Sequence, residues 1–120
     1  MLSYWIMTGV NNSLPLPADF IIINRIYTVT GYTIDDLRGE SRKEELVLVR
    51  HYCMFLLRKK ARLIWKQIGV MLNRDHSTAM HGYNKICNLF DSKDRKLHEL
   101  IERYHNLKMN ESSTTASHRP

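Results

Sequence analysis

The sequence predicts an all-α domain of five to six helices, on three observations. Apolar residues recur at intervals of three and four along most of the chain, the repeat of a single buried helix face. No segment alternates apolar and polar residues as a half-buried strand does. The breaks between periodic stretches fall at Pro, Gly, Asn and Asp, which start or stop helices. A chain of 120 residues suits one domain with its own core.

The elements follow in order. Residues 1–18 carry no charged side chain and are interrupted by Asn11, Asn12, Ser13, Pro15 and Pro17, so they hold no transmembrane span. They lack the basic start and continuous apolar run of a secretory signal. They form an arm whose Tyr4, Trp5, Ile6 and Met7 either dock on the domain or stay mobile. The helical domain occupies residues 19–108. Pro17-Ala18-Asp19 opens its first helix, Phe20, Ile23, Ile26 and Tyr27 mark the apolar face, and Gly31 ends it. Thr33 and Asp36 form the T-x-x-D variant of a capping box over a short helical turn. Residues 38–43, Arg-Gly-Glu-Ser-Arg-Lys, read as an exposed basic loop.

A long amphipathic helix is expected over residues 44–62, with Leu46, Val49, Cys53, Leu56 and Leu57 on its apolar face. Its first turn holds Glu44 and Glu45, which suit the positive end of the helix dipole. A shorter helix over 64–72, a turn at Asn73 and a helix over 75–90 follow. The last helix is expected over 93–108, with Leu97, Leu100, Ile101 and Tyr104 as its stripe. Residues 109–120 read as a disordered polar tail.

Charge is unevenly placed. Residues 38–85 carry a net +7, eleven Lys and Arg against four Asp and Glu, and the rest of the chain carries −1 of the overall +6. Such a concentration fits a polyanionic partner. Membrane binding fits poorly, because the basic helix pairs its charges with a core stripe and leaves no exposed apolar face. Cys53 and Cys87 stand singly in apolar patterns and read as buried thiols rather than a disulfide or metal pair. His76 and His81 are five residues apart and do not converge on a metal as an i, i+4 pair does. There is no P-loop for a nucleotide and no nucleophile–base set. The expectation is a non-enzyme with no metal, cofactor or nucleotide.

Two short helices around a tight turn are the minimum of a helix-turn-helix, whose second helix lies in the major groove of DNA. On the second helix Arg74, Ser77, Thr78, His81 and Lys85 share one face; Ala79, Met80, Tyr83, Ile86, Cys87 and Phe90 share the core face. Short polar side chains can reach base edges while the helix stays close. Gly82, beside His81, is expected to admit a phosphate or base. His51, Arg58 and Arg62 share a face of the long helix and could follow a phosphate backbone; a solvated helix face is the alternative.

The run Arg74-Asp75-His76-Ser77-Thr78-Ala79-Met80-His81-Gly82 resembles the R-D-H-[ST]-T-x-x-H-[AG] signature of the C-terminal DNA-binding domain of DnaA, the bacterial chromosomal replication initiator. Residues 31–37 resemble its G-[IV]-S-[VI]-[ED]-D-L motif. Ser41-Arg42-Lys43 is similar to its basic loop, Leu48-Val49-Arg50-His51 to its L-A-R-Q, and Ile68-Gly69 to its I-G. Together these cover roughly residues 19–106. The chain departs from the family at His51 (family Gln), Ile64 (capping Ser), Lys66 (common Pro) and in a turn one residue shorter before Arg74.

The resemblance implies a Trp-repressor-like helical fold that binds double-stranded, A·T-rich DnaA-box-like sites. Arg42 would enter the minor groove, and Asp75, His76, Ser77, Thr78 and His81 would face bases in the major groove. Lys43, Arg50, His51, Arg58, Arg62, Lys66 and Arg74 would contact the backbone or flank it. From the residues alone, Asp75 could either accept from a base amino group or cap its helix.

The initiator's ATPase domain precedes this module, and only 18 residues precede it here, so the expectation is a stand-alone protein. It would be monomeric, cytoplasmic and nucleoid-associated, regulating replication initiation or transcription, or competing with DnaA. The alternative is an adaptor that binds a replication protein through the Trp5 arm and the last helix, with weak, non-specific DNA affinity.

Overall fold

A computed structural model describes residues 17–117. The arm around Trp5 lies outside the described residues. Six helices, with no strand among the described residues, succeed one another: α1 (Ala18–Thr30), α2 (Ile34–Arg38), α3 (Glu44–Lys59), α4 (Trp65–Leu72), α5 (His76–Asp91) and α6 (Arg95–Ser117).

The central helix is α3. Half of its 16 residues are buried, among them Leu46, Val49, Cys53, Met54 and Leu57. It packs on α5 along one side and α1 along another, and α6 closes the core with Leu97, Leu100 and Tyr104. An aromatic chain joins these elements. Tyr104 meets Tyr52 edge-on at 5.8 Å, and Phe55 stacks on Tyr83 at 5.2 Å. Tyr83 in turn meets Trp65 of α4 edge-on at 5.3 Å. Such pairs add about 0.5–1.5 kcal/mol each beyond burial.

The helix ends follow local chemistry. Gly31 closes α1 by donating its N–H to the Tyr27 carbonyl. Both hydrogen bonds of the capping box form at α2: the Asp36 amide donates to Thr33 Oγ1, and the Thr33 amide to Asp36 Oδ2. At the end of α4, Asn73 adopts the left-handed conformation at φ 58°; its amide donates to Val70 and that of Arg74 to Gly69, a Schellman arrangement. Lys93 closes α5 in the same way, and Asp94 then accepts from the Leu97 amide to start α6.

Some expectations need correcting. Helix α3 stops at Lys59 rather than Arg62, because the chain turns through Arg62 at φ 58° to bring Leu63 onto the core. Arg62 therefore does not share a helix face with His51 and Arg58. Helix α6 extends to Ser117, and no Gly or Pro interrupts residues 108–117. Met80 lies at the margin of the buried face of α5, which centres on Ala79, Gly82 and Ile86, and Phe90 continues that face at the end of the helix; both are exposed. Cys53 is buried, but Cys87 is only partly covered.

Candidate nucleic-acid interface

Helices α4 and α5 with the turn Asn73–Asp75 form a helix-turn-helix. Its tight angle needs Gly69. A Cβ there would stand 2.5 Å from the Arg74 carbonyl oxygen and 3.1 Å from the Asp75 carbonyl carbon, so the turn can cross α4 only over a residue without a side chain. At the start of α4, Ile64 supplies no side-chain cap, and the chain uses half a capping box: the Ile64 amide donates to Gln67 Oε1 at 3.0 Å.

Asp75 caps α5. Its Oδ1 accepts from the Thr78 amide at 2.9 Å and the Ser77 hydroxyl at 3.3 Å. Hydrogen bonds from Thr78, then Ser77, hold its carboxyl below the usual carboxylate range, so it is ionised at neutral pH. Beyond the cap, His76, Ser77, His81, Asn84 and Lys85 are exposed, and Thr78 is half-covered. This face is polar and lies opposite the core line of Ala79, Gly82 and Ile86.

Gly82 points the other way from its expected role. A Cβ at this position would run into Met54 and stand 2.9 Å from His51 Cδ2, so its missing side chain lets α5 lie close on α3 and does not admit a ligand. His51 is half-buried beneath α5. Burial, followed by the charges of Lys85, His81, Arg50 and Arg74, pushes its pKa down to about 4, and the ring is neutral at pH 7.

The basic loop stands beside this helix. Arg42 and Lys43 are exposed, and Arg42 lines one groove together with His51 of α3 and Lys85 of α5. Arg42 of the loop and Lys85 of α5 thus share one side of the domain.

Three other arginines expected at DNA also make hydrogen bonds within the protein. Arg50 is 5% exposed; its Nε donates to the Leu37 carbonyl at 2.8 Å, and its Nη2 to those of Gly39 and Ser41 at 3.3 Å. Burial, and then the nearby Arg74 charge, lowers its pKa. Arg74 donates to the Gly39 carbonyl at 2.6 Å and the Arg38 carbonyl at 3.2 Å. Arg58 lies over the Trp65 ring at 4.6 Å and donates to the Leu63 carbonyl at 3.1 Å, bracing the α3–α4 connection. The reason is common to all three: a guanidinium brings several donors to carbonyls that helix ends and loops leave unpaired. Arg62 and Lys66 remain exposed, after α3 and in the first turn of α4.

Sequence reasoning missed Arg38, which it left in a solvated loop. The side chain reaches α4 and donates to the carbonyls of Val70 at 3.0 Å and Met71 at 2.8 Å. Its place in the last turn of a capped helix was the available signal, since cations there meet unpaired carbonyls. Asn84, two turns beyond Ser77 and one beyond His81, shares the exposed face and was not singled out from the sequence.

A basic loop beside the polar, exposed face of a second helix defines the class: a DNA-binding helix-turn-helix domain. Residues 21–86 match the family of the bacterial dnaA protein helix-turn-helix, and the chain belongs to that family. It is similar to the chromosomal replication initiator protein DnaA of Mycoplasma pneumoniae, 30% identical over 82 residues, which cover 68% of this chain and 18% of that protein. The DnaA of Gloeothece citriformis is 34% identical over 90 residues, covering 71% of this chain and 20% of the relative. That of Herpetosiphon aurantiacus is 43% identical over 67 residues, covering 53% and 14%. The chain thus spans a fifth or less of the length of these relatives.

Proposed function

We propose that this domain recognises DnaA-box-like duplex sites by reading two grooves at once. Helix α5 lies in the major groove, with His76, Ser77, Thr78 and His81 facing base edges. Asp75 keeps Oδ1 on its helix cap and offers Oδ2 to a cytosine or adenine amino group. Arg42 enters the adjoining minor groove, where A·T-rich sequence is narrow and attracts a guanidinium. Lys43, Arg62 and Lys66 neutralise phosphates, with Lys85 added from the same face of α5. His51 acts from beneath α5 as a neutral ring. Arg50, Arg58 and Arg74 support the surface from within. The observation that carries this reading is the shared groove lined by Arg42 and Lys85, which sets loop and helix on one side.

The role that follows is occupancy of initiator sites near the nucleoid, regulating replication initiation or transcription and competing with DnaA for the same DNA. Titration into a labelled duplex bearing a DnaA box, against a scrambled duplex at the same salt, tests the site preference. A preference of roughly tenfold or more is expected, the scale of one or two base contacts of ~1–3 kcal/mol. Equal affinity for both duplexes rejects site-specific reading.

A further inference from the structure

We propose that Arg38 and Arg74 form a reciprocal clasp that sets the position of the Arg42 loop against the recognition helix, making both positioning residues for two-groove readout. The inference rests on the reading of the site above.

The geometry is mutual. Helices α2 and α4 are short, and each ends with carbonyls that its own backbone cannot satisfy. The Arg38 guanidinium leaves the end of α2 and donates to Val70 and Met71 in the last turn of α4. From just past the end of α4, Arg74 returns to the Arg38 and Gly39 carbonyls, and Asn73 Nδ2 adds a third bond to the Arg38 carbonyl at 3.3 Å. Each helix end is thereby capped by a cation from the other, the favourable sign at a C-terminus.

The loop has little else to fix it on this side. Leu37 and Leu46 anchor its flanks in the core, but residues 40–43 between them are exposed. Within the loop, the Lys43 amide bonds to Ser41 Oγ at 3.2 Å. Arg50 holds Gly39 and Ser41 from below, toward α3, and leaves the relation to the helix-turn-helix to the clasp. Asp75, the cap of α5, immediately follows Arg74. The clasp therefore joins the base of the minor-groove loop to the first residue of the recognition helix.

The test combines one readout in the free protein with one on DNA. Amide hydrogen exchange at Gly39 and Lys43, whose N–H groups donate to the Asp36 carbonyl and Ser41 Oγ, reports the clasp without any ligand. Arg38→Ala should speed exchange there by roughly fivefold or more and leave α3 and α6 protected. On the box duplex, Arg42→Ala should cost roughly tenfold in the wild-type background but under about twofold in Arg38→Ala, since a misplaced loop has little left to lose. Thr78→Ala should cost the same in both backgrounds. Arg38→Lys keeps the charge and loses the fork across two carbonyls, so it should resemble Arg38→Ala; full recovery by lysine would make Arg38 a phosphate contact and overturn the clasp.

Unchanged loop exchange in Arg38→Ala, or additive losses with Arg42→Ala, overturns it as well. Equal wild-type affinity for box and scrambled duplex would reject the site reading and with it the readout role, while loop exchange alone would still decide whether the clasp exists.

Discussion

Gly82 of α5 faces His51 of α3 so closely that a methyl group at position 82 would stand 2.9 Å from the imidazole Cδ2 and collide with Met54. The first prediction follows from that contact. Gly82→Ala should gain about 1 kcal/mol of helix propensity and lose about 1–3 kcal/mol to overpacking, for a net destabilisation near 1 kcal/mol. Chemical denaturation measures it. A stabilised variant with weakened DNA binding would instead mean that Gly82 makes room for DNA.

What the sequence made legible, and what it hid, divides along physical lines. The Thr33–Asp36 capping box and the Asn73 turn are local, set by residues within five positions of each other, and they form as their spacing predicts, while Asp75 takes the cap, one of the two roles its sequence left open. The polar row of α5 was legible from helical periodicity. Arg50, Arg58 and Arg74 were not, because a charge pattern reads an arginine as surface and cannot show which distant carbonyls await it. Arg38 bonds to residues more than thirty positions away. The role of Gly82 depended on which helix lies across it, which no local pattern carries.

His51 should make the fold acid-sensitive. Its pKa lies at about 4 in the folded state against 6.5 for an ordinary histidine, so the fold favours the neutral ring. That preference contributes fully above pH 6.5 and is lost as pH falls toward 4, where the ring must charge beside Lys85, His81, Arg50 and Arg74. Urea titrations from pH 7 to 4.5 should show the wild type losing on the order of 1 kcal/mol more than His51→Gln, after discounting for the ring's partial exposure. Parallel pH profiles for the two proteins would refute the assignment.

Arg42 and Arg50 sit eight positions apart in a basic segment and should behave oppositely. Arg42 is exposed, so Arg42→Ala should leave the melting temperature within about 2 °C and weaken box binding roughly tenfold. Arg50→Ala removes the donors that satisfy the Leu37, Gly39 and Ser41 carbonyls, and should cost about 2–4 kcal/mol of stability. Thermal unfolding beside binding at a temperature where both variants are folded separates them. A stable Arg50→Ala protein would show that water replaces the guanidinium at no cost.

Salt dependence distinguishes arginines that brace the protein from lysines that meet phosphate. Each neutralised phosphate adds about −0.9 to the slope of log K against log salt. Lys66, exposed in the first turn of α4, should contribute one such unit, and Lys66→Ala should make the slope shallower by about 0.9 with stability unchanged. Arg58 spends its guanidinium on the Trp65 face and the Leu63 carbonyl. Arg58→Ala should therefore keep the wild-type slope and lower stability by about 1–2 kcal/mol, the combined scale of a partly desolvated cation–π contact and one hydrogen bond. Affinities at four or five salt concentrations, with denaturation curves for both variants, decide the matter. A shallower slope for Arg58→Ala would return that arginine to the DNA surface.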